Sequence, residues 1–332
     1  MVMTDLKLAQ SFALIALNAQ SSLYLTNAKK VSLRCMAAAV ILEANLEGCF
    51  TQAENKLTFH KEVLEQSHST LYREKVLQPL LHNHTEVIGD LNWWLKKASN
   101  LSKKKLKKFE IAISDYLKSI NMLEEIPSLL GSDMYFDSAG VEMRAYRSNL
   151  ETYSRITENI RAEILEEGSV TDEIICMLWL LRESGCMHDF FSRNELEKVN
   201  TRMNELYQSN LLAKALFPIQ IHHGIELGIK QLLEMKTKFM KTYTGSSINF
   251  FFPFLERSQA VFIETEAWFD NSNKRLNSVL TRLRSYGHEV KVIEGGSIAT
   301  LKIDNMLYDA MPHFVIMRVP IQGVRLVPKH PV

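Results

Sequence analysis

Seven lysines crowd one stretch of the chain: Lys96, Lys97, Lys103, Lys104, Lys105, Lys107 and Lys108. Ammonium groups at that density suit an anionic surface, each contributing about 1 kcal/mol beside acidic lipid headgroups. The same run also reads as a solvated helix start. It has no interleaved aromatics and the chain's net charge is +1, so nucleic acid is not expected as a partner. The histidines offer two close pairs, His82 with His84 and His222 with His223, and neither has the spacing of a helical zinc site. No nucleophile elbow, phosphate loop or dinucleotide fingerprint occurs, and Gly295–Gly296 reads as a turn. The carboxylate pairs Glu124–Glu125 and Glu166–Glu167 fall at helix ends. The expectation is therefore no enzyme, no metal and no cofactor. Cys35, Cys49, Cys176 and Cys186 form no C-x-x-C pair and suit a reducing cytosol.

The elements that must carry these residues are mostly helical. Lys29–Gly48 is apolar around nearly its whole circumference, as in a helix packed on every side. Broken by Glu43 and Asn45, it is too short and polar to span a bilayer. Residues 4–18 read as an amphipathic first helix capped by Thr4, not a signal peptide. A short extended piece, 21–25, joins the two. A hairpin follows at 49–52 and 56–59, then helices over 67–82, 85–98 and 102–121, with Pro79 bending or ending the first. The adjacent Trp93 and Trp94 point about 100° apart, one to the core and one to a groove or an oligomer contact. Between Leu123 and Phe136 a second hairpin is expected to turn at Gly131–Ser132–Asp133, with Leu129 and Leu130 at its tip. Two leucines there call for lipid, another subunit, or folding back onto the domain. Helices follow over 148–167, from the Thr171 cap, from the Ser192–Glu195 capping box, and over 210–240.

Past Thr242 the composition changes. Strands are expected at 259–269, 289–294, 297–303, 314–319 and 323–327, with one helix at 271–286. The fold class is mainly α, a helical bundle with small β-hairpins, plus a small α+β C-terminal domain. The boundaries are 1–243 for the helical domain, 244–256 for a linker and 257–332 for the α+β domain.

Three pieces over roughly residues 5–220 carry a resemblance. The first is LKLAQSFALIALNAQSSLYL with SLRCMAAAVILEANLEGCF. The second is LNWWLKKAS with LKKFEIAISDYLKSINMLEE and IPSLLGSDMYF, and the third is RAEILEEGSVTDEIICMLWLLRESGCMHDFF. In pattern and order they resemble the Golgi phosphoprotein 3 family of peripheral membrane proteins and its bacterial relatives. The resemblance implies a helical bundle that binds anionic, phosphoinositide-like headgroups. Arg34 stands close to a family pocket arginine, Lys107 replaces another, and Glu110 stands in place of a third. Tyr24 and Asn27–Ala28 occupy the turn where the family has a tryptophan. With the lysine run, this gives Arg34, Lys104, Lys105 and Lys107 as headgroup ligands, and Leu129 and Leu130 as a membrane or homo-oligomer contact. The expected setting is cytoplasmic and peripheral at the membrane, with a protein partner recruited as by an adaptor. The alternative is a soluble interaction or regulatory protein that keeps the fold without binding lipid.

Overall fold

A computed structural model describes residues 6–53, 56–62, 71–81, 84–134, 140, 142–221, 260–265, 272–316 and 320–329, and structural statements below concern these. The expected 244–256 linker, Thr4, His82, the pair at 222–223 and most of the helix expected at 210–240 lie outside them.

The apolar helix stands at the centre, as its circumference requires. It is α2, Asn27–Leu46, with the Thr26 hydroxyl accepting from the Lys29 N–H at its start. Gly48, at φ +71°, supplies the left-handed residue that closes it. Helix α1, Leu8–Leu17, is buried at every position and packs along α2. The Gln10 side chain accepts from the Lys7 N–H at its start, so the helix begins later than a Thr4 cap would place it. Glu43, an interruption in an apolar sequence, sits at the centre of a polar knot. It accepts from the Ala9 N–H at 2.9 Å, the Tyr72 hydroxyl at 3.0 Å and the Arg73 guanidinium at 2.6 Å. Three helices are tied by one carboxylate, since Tyr72 and Arg73 belong to α3, Leu71–Leu81. Pro79 is accommodated in the last turn of α3.

The first hairpin forms from β1, Thr51–Ala53, and β2, Lys56–His60. A third strand, β3, Glu86–Gly89, joins the free side of β2 where the sequence reading had a helix from residue 85. The Asp90 carboxylate accepts from the Trp93 N–H at 2.6 Å, so helix α4, Leu91–Ser99, cannot start earlier, and the preceding β-branched residues pair with β2. Helix α5 covers Lys103–Ser119. The second hairpin is also different. Strand β4, Leu123–Pro127, pairs with β5, Arg144–Ser148, across a long connection. Residues Leu129–Ser132 coil into a 3₁₀ turn, in which Gly131 N–H donates to Ser128 O and Asp133 N–H to Leu130 O. Those bonds occupy the backbone groups a tight hairpin would have paired. Helices α6, Leu150–Leu165, α7, Asp172–Ser184, α8, Met187–Phe190, α9, Arg193–Ser209, and α10, Leu211–Leu216, complete the bundle. The Thr171 cap and the Ser192–Glu195 capping box form as read.

The C-terminal residues build a five-stranded antiparallel sheet in the order β6-β10-β9-β8-β7. The strands are β6, Val261–Glu264, β7, Val290–Glu294, β8, Ala299–Ile303, β9, Met306–Ile316, and β10, Pro320–Lys329, with helix α11, Ser272–Ser285, between β6 and β7. Strand β9 starts well before the expected residue 314. Pro312 masks it in the sequence, but it lies past the end of β8, on a stretch paired to β10 alone. Val261, Ile263, Leu283, Leu301 and Leu326 belong to a second core, distinct from the helical one.

At Gly323 an added Cβ would stand 2.2 Å from Ile263 O and 2.6 Å from the Phe262 ring. Gly323→Ala must therefore push β6 off β10, and about 1–3 kcal/mol of stability should be lost. Thermal unfolding of the full chain checks this, with Gly295→Ala, whose Cβ meets nothing within 4 Å, as the silent control.

Candidate functional site

The C-terminal end of α4 and the N-terminal end of α5 meet at Asn100–Ser102, which gathers the lysines at one corner. Lys96 and Lys97 fall in the last turn of α4, where the helix dipole favours a cation. Lys103, Lys104 and Lys105 occupy the first turn of α5, where it disfavours one. Among the described residues Lys96, Lys97, Lys103, Lys104, Lys105 and Lys108 have no carboxylate within ion-pair distance, whereas Lys107 has one, Glu110, at 3.2 Å. An open cleft of about 590 Å³ lies at this corner, lined by Pro79, Trp93, Lys96, Lys97, Ser102 and Lys105. The Lys97 ammonium stands 5.6 Å from the centre of the Trp93 ring. Trp94, its neighbour, is fully buried and donates its indole N–H to Leu57 O at 3.0 Å. The cleft thus has an aromatic wall, three ammonium groups and one carboxylate, Asp90, which accepts from the Trp93 N–H; the excess of positive charge suits a phosphate-bearing ligand or surface.

The four expected headgroup ligands do not converge. On α5 the positions 104, 105 and 107 project in three directions. Lys105 faces the cleft and Lys104 faces water. Lys107 turns the other way and donates to Ser22 O at 3.3 Å. Arg34, half-buried on α2, is about 140° around the helix from Lys29 and outside the group that surrounds Glu110.

That group is a closed ion-pair centre. Glu110, on an α5 face otherwise built of Leu106, Phe109, Ile113 and Leu117, is fully buried. The equally buried Lys29 places its ammonium 2.5 Å from Glu110 Oε1, 2.5 Å from Ser21 O and 3.3 Å from Tyr24 O. The Tyr146 hydroxyl donates to the same carboxylate at 3.0 Å. Burial pushes the Lys29 ammonium below its usual pKa of 10.5, opposed by the charge and hydrogen bond of Glu110. Burial, with the Glu110 charge beside it, pushes the Tyr146 phenol up. The Tyr146 ring is flanked by the Lys29 and Lys118 ammonium groups, 5.3 and 5.7 Å from its centre, and Lys118 pairs with Glu125, whose carboxyl it holds below the usual range. An ammonium of the chain itself thus occupies the space beside Glu110 where the resemblance implies a headgroup. From the sequence, Lys29 is only the first residue of the apolar helix. The available signal was Glu110, an acid on an apolar face, which demands a buried cation.

Above this centre the 21–25 loop exposes Leu23 and Tyr24, at 43% and 57%. Leu129 and Leu130 are half-buried and pack against the C-terminal core of the same chain. They are covered by the domain that follows them, a contact the sequence reading did not name. Among the described residues no helix is long and apolar enough to cross a membrane.

No family model matches the chain, and no curated protein matches it.

Proposed function

We propose that the protein associates peripherally with anionic membrane surfaces through the lysine corner, on the cytoplasmic side, and recruits or sorts a protein partner there. The observation that carries this reading is the set of six ammonium groups with no carboxylate partner among the described residues, three of them in the first turn of α5. Three cations against the positive end of a helix dipole are a local cost that an anionic partner removes. Phosphate-bearing lipid headgroups would lie in and around the Trp93 cleft, with Lys104 and Lys105 as contacts. The exposed Leu23 and Tyr24 add apolar area on the loop that Lys107 holds against α5. The resemblance to the Golgi phosphoprotein 3 family supports the same reading. One observation favours the second reading, a soluble interaction protein that keeps the fold without lipid: the Lys29–Glu110 pair fills the interior where a headgroup pocket is implied.

Vesicle co-sedimentation separates the two. Replacing Lys103, Lys104 and Lys105 by Gln should weaken binding to phosphatidylserine-containing vesicles by about 100-fold, at about 1 kcal/mol per lysine. Added salt should weaken the wild type in the same direction. The melting temperature should hold or rise slightly, because charges opposed to the dipole are removed. A wild-type protein that ignores anionic vesicles would establish the second reading.

A further inference from the structure

A second cleft, of about 540 Å³, opens where the helical domain meets the C-terminal sheet. One wall is the first turn of α6. The other is built by the end of α11, the start of β7 and the turn between β8 and β9. A space of this size takes a small molecule.

The fold leaves two polar atoms of the lining unsatisfied. The His288 side chain is fully buried, with Nδ1 2.5 Å from Asp304 Oδ2, and its Nε2 has no hydrogen-bond partner among the described residues. Asn305 donates through Nδ2 to Asn18 Oδ1 and Ser148 O, but its buried Oδ1 accepts from no described residue. An orphaned polar atom in the interior costs about 1–3 kcal/mol, so each calls for a partner. His288 also borders a smaller cavity of about 60 Å³ beneath the 3₁₀ turn, whose walls are largely apolar, with Ile126, Leu129, Ile303 and Met306. A polar partner therefore belongs on the cleft side.

The charges of the lining say what that partner is. Arg284, Lys291 and Lys302 line the cleft, and among the described residues none has a carboxylate within ion-pair distance. Lys302 reaches only Ser154 Oγ, at 3.5 Å. Asn149 caps the Thr152 N–H of α6, whereas the Leu150 and Glu151 N–H groups have no acceptor among the described residues. Of the carboxylates, Asp304 is occupied by Arg147, His288 and the Glu289 N–H, which leaves Glu151 and Glu289, both exposed. Three cations and a helix N-terminus against two acids favour a multiply charged anion such as phosphate. A phosphate monoester also satisfies Nε2 in either protonation state, since its oxygens accept from an N–H and its P–OH donates to a bare nitrogen. Asn305 Oδ1 needs a donor, which a neighbouring hydroxyl supplies.

We propose that the cleft between the two domains binds a small phosphorylated polyol, its phosphate beside Arg284, Lys291, Lys302 and the first turn of α6, a hydroxyl facing Asn305. The site is separate from the lysine corner and stands without the membrane reading. The test titrates the full chain in a calorimeter with glycerol 3-phosphate and, for comparison, sulfate. Glycerol 3-phosphate should bind roughly tenfold or more tightly than sulfate, because only it brings hydroxyl donors, and it should raise the melting temperature. Lys291→Gln with Lys302→Gln should weaken that binding by roughly tenfold or more. The ligand-free melting temperature should hold, since neither lysine has an ion pair to lose; Arg284→Gln, on the exposed end of α11, is the second variant and should act in the same direction. The Lys103, Lys104 and Lys105 to Gln variant should bind the ester as the wild type does. Equal affinity for the ester and sulfate would mean an adventitious ion only and overturns the proposal, as does a wild type that binds neither. Loss of binding in the lysine-corner variant alone overturns it too, and gives the ligand to the Trp93 cleft. The same chemistry occurs free and on a lipid, and vesicles of phosphatidylcholine with phosphatidylglycerol phosphate tell the sources apart. Weaker sedimentation of the Lys291→Gln, Lys302→Gln variant assigns the site to the lipid headgroup, and unchanged sedimentation with weakened ester binding assigns it to a soluble compound.

Discussion

Glu110→Ala should cost about 3–5 kcal/mol of folding stability, because it leaves the Lys29 ammonium in the interior without its counter-ion. Both side chains are fully buried, so water cannot replace the lost carboxylate without opening the core. Three groups converge on Glu110, the ammonium of Lys29 at 2.5 Å, that of Lys107 at 3.2 Å and the Tyr146 hydroxyl at 3.0 Å. Removing the acceptor leaves the buried Lys29 ammonium without a counter-ion and the Tyr146 hydroxyl without that acceptor, whereas Lys107 is part-exposed and keeps Ser22 O. The desolvation cost of the pair is borne only while both partners are present, so the double variant Lys29→Met with Glu110→Met should recover much of the loss. Some deficit should remain, because Lys29 also holds Ser21 O and Tyr24 O and so fixes the loop that carries Leu23 and Tyr24. Urea unfolding of the two single variants and the double variant forms a cycle that reads the coupling directly. A single-variant loss below about 1 kcal/mol would mean that the pair is hydrated. The interior beside Glu110 would then be open to a ligand, against the closed centre described above.

What the sequence made legible and what it concealed follow from the range of the interactions. The central helix, the Thr171 cap, the Ser192–Glu195 box and the close of the central helix at Gly48 depend on neighbours a few residues away, and each is readable. Strand β3 was not, because Val87 and Ile88 fit a helix period as well as a strand. Only the Asp90 cap and the free edge of β2 decide between them. Strand β9 was cut short by Pro312, whose tolerance depends on where β8 ends. The candidate site shows the same division. The lysine corner is local and was read from spacing alone. The divergence of Lys104, Lys105 and Lys107 follows from helix geometry once α5 is placed. The Lys29–Glu110 pair joins two helices far apart in sequence, and an unpaired reading of each residue gives a surface lysine and a misplaced acid. The burial of Leu129 and Leu130 depends on a domain whose packing no local pattern encodes.

The contact between the two cores gives the second large effect. Arg147→Ala should remove about 2–5 kcal/mol of coupling and split one unfolding transition into two. Arg147, on β5, reaches out of the helical domain. Its guanidinium donates to Glu124 at 2.7 Å, to Gly287 O at 2.9 Å and to Asp304 Oδ1 at 3.0 Å. Asp304 and Asn305 form the turn between β8 and β9, with φ of +46° and +74°, the signs a two-residue hairpin of this twist requires. That turn enters the helical domain. Asn305 donates to Asn18 Oδ1 at 3.2 Å and to Ser148 O at 3.0 Å, while Asp304 Oδ2 lies 2.5 Å from His288 Nδ1. Burial raises the Asp304 carboxyl, but His288, the Glu289 N–H and Arg147 together outweigh it and hold the group below its ordinary 3.8. A carboxyl depressed in the folded state stabilises fully above its unfolded value, and that stability is lost as pH falls through the folded one. Acidifying the wild type below about pH 4 should therefore loosen the same contact, and Arg147→Ala, with less to lose, should respond less. Because each domain has its own core, the uncoupled protein should melt in two steps, seen as separated calorimetric peaks. Arg147→Lys should give an intermediate result, since an ammonium keeps the charge but cannot span Glu124, Gly287 O and Asp304 at once. A single transition at the wild-type midpoint in Arg147→Ala would show that Asn305 and the leucines of the 3₁₀ turn hold the domains together without it.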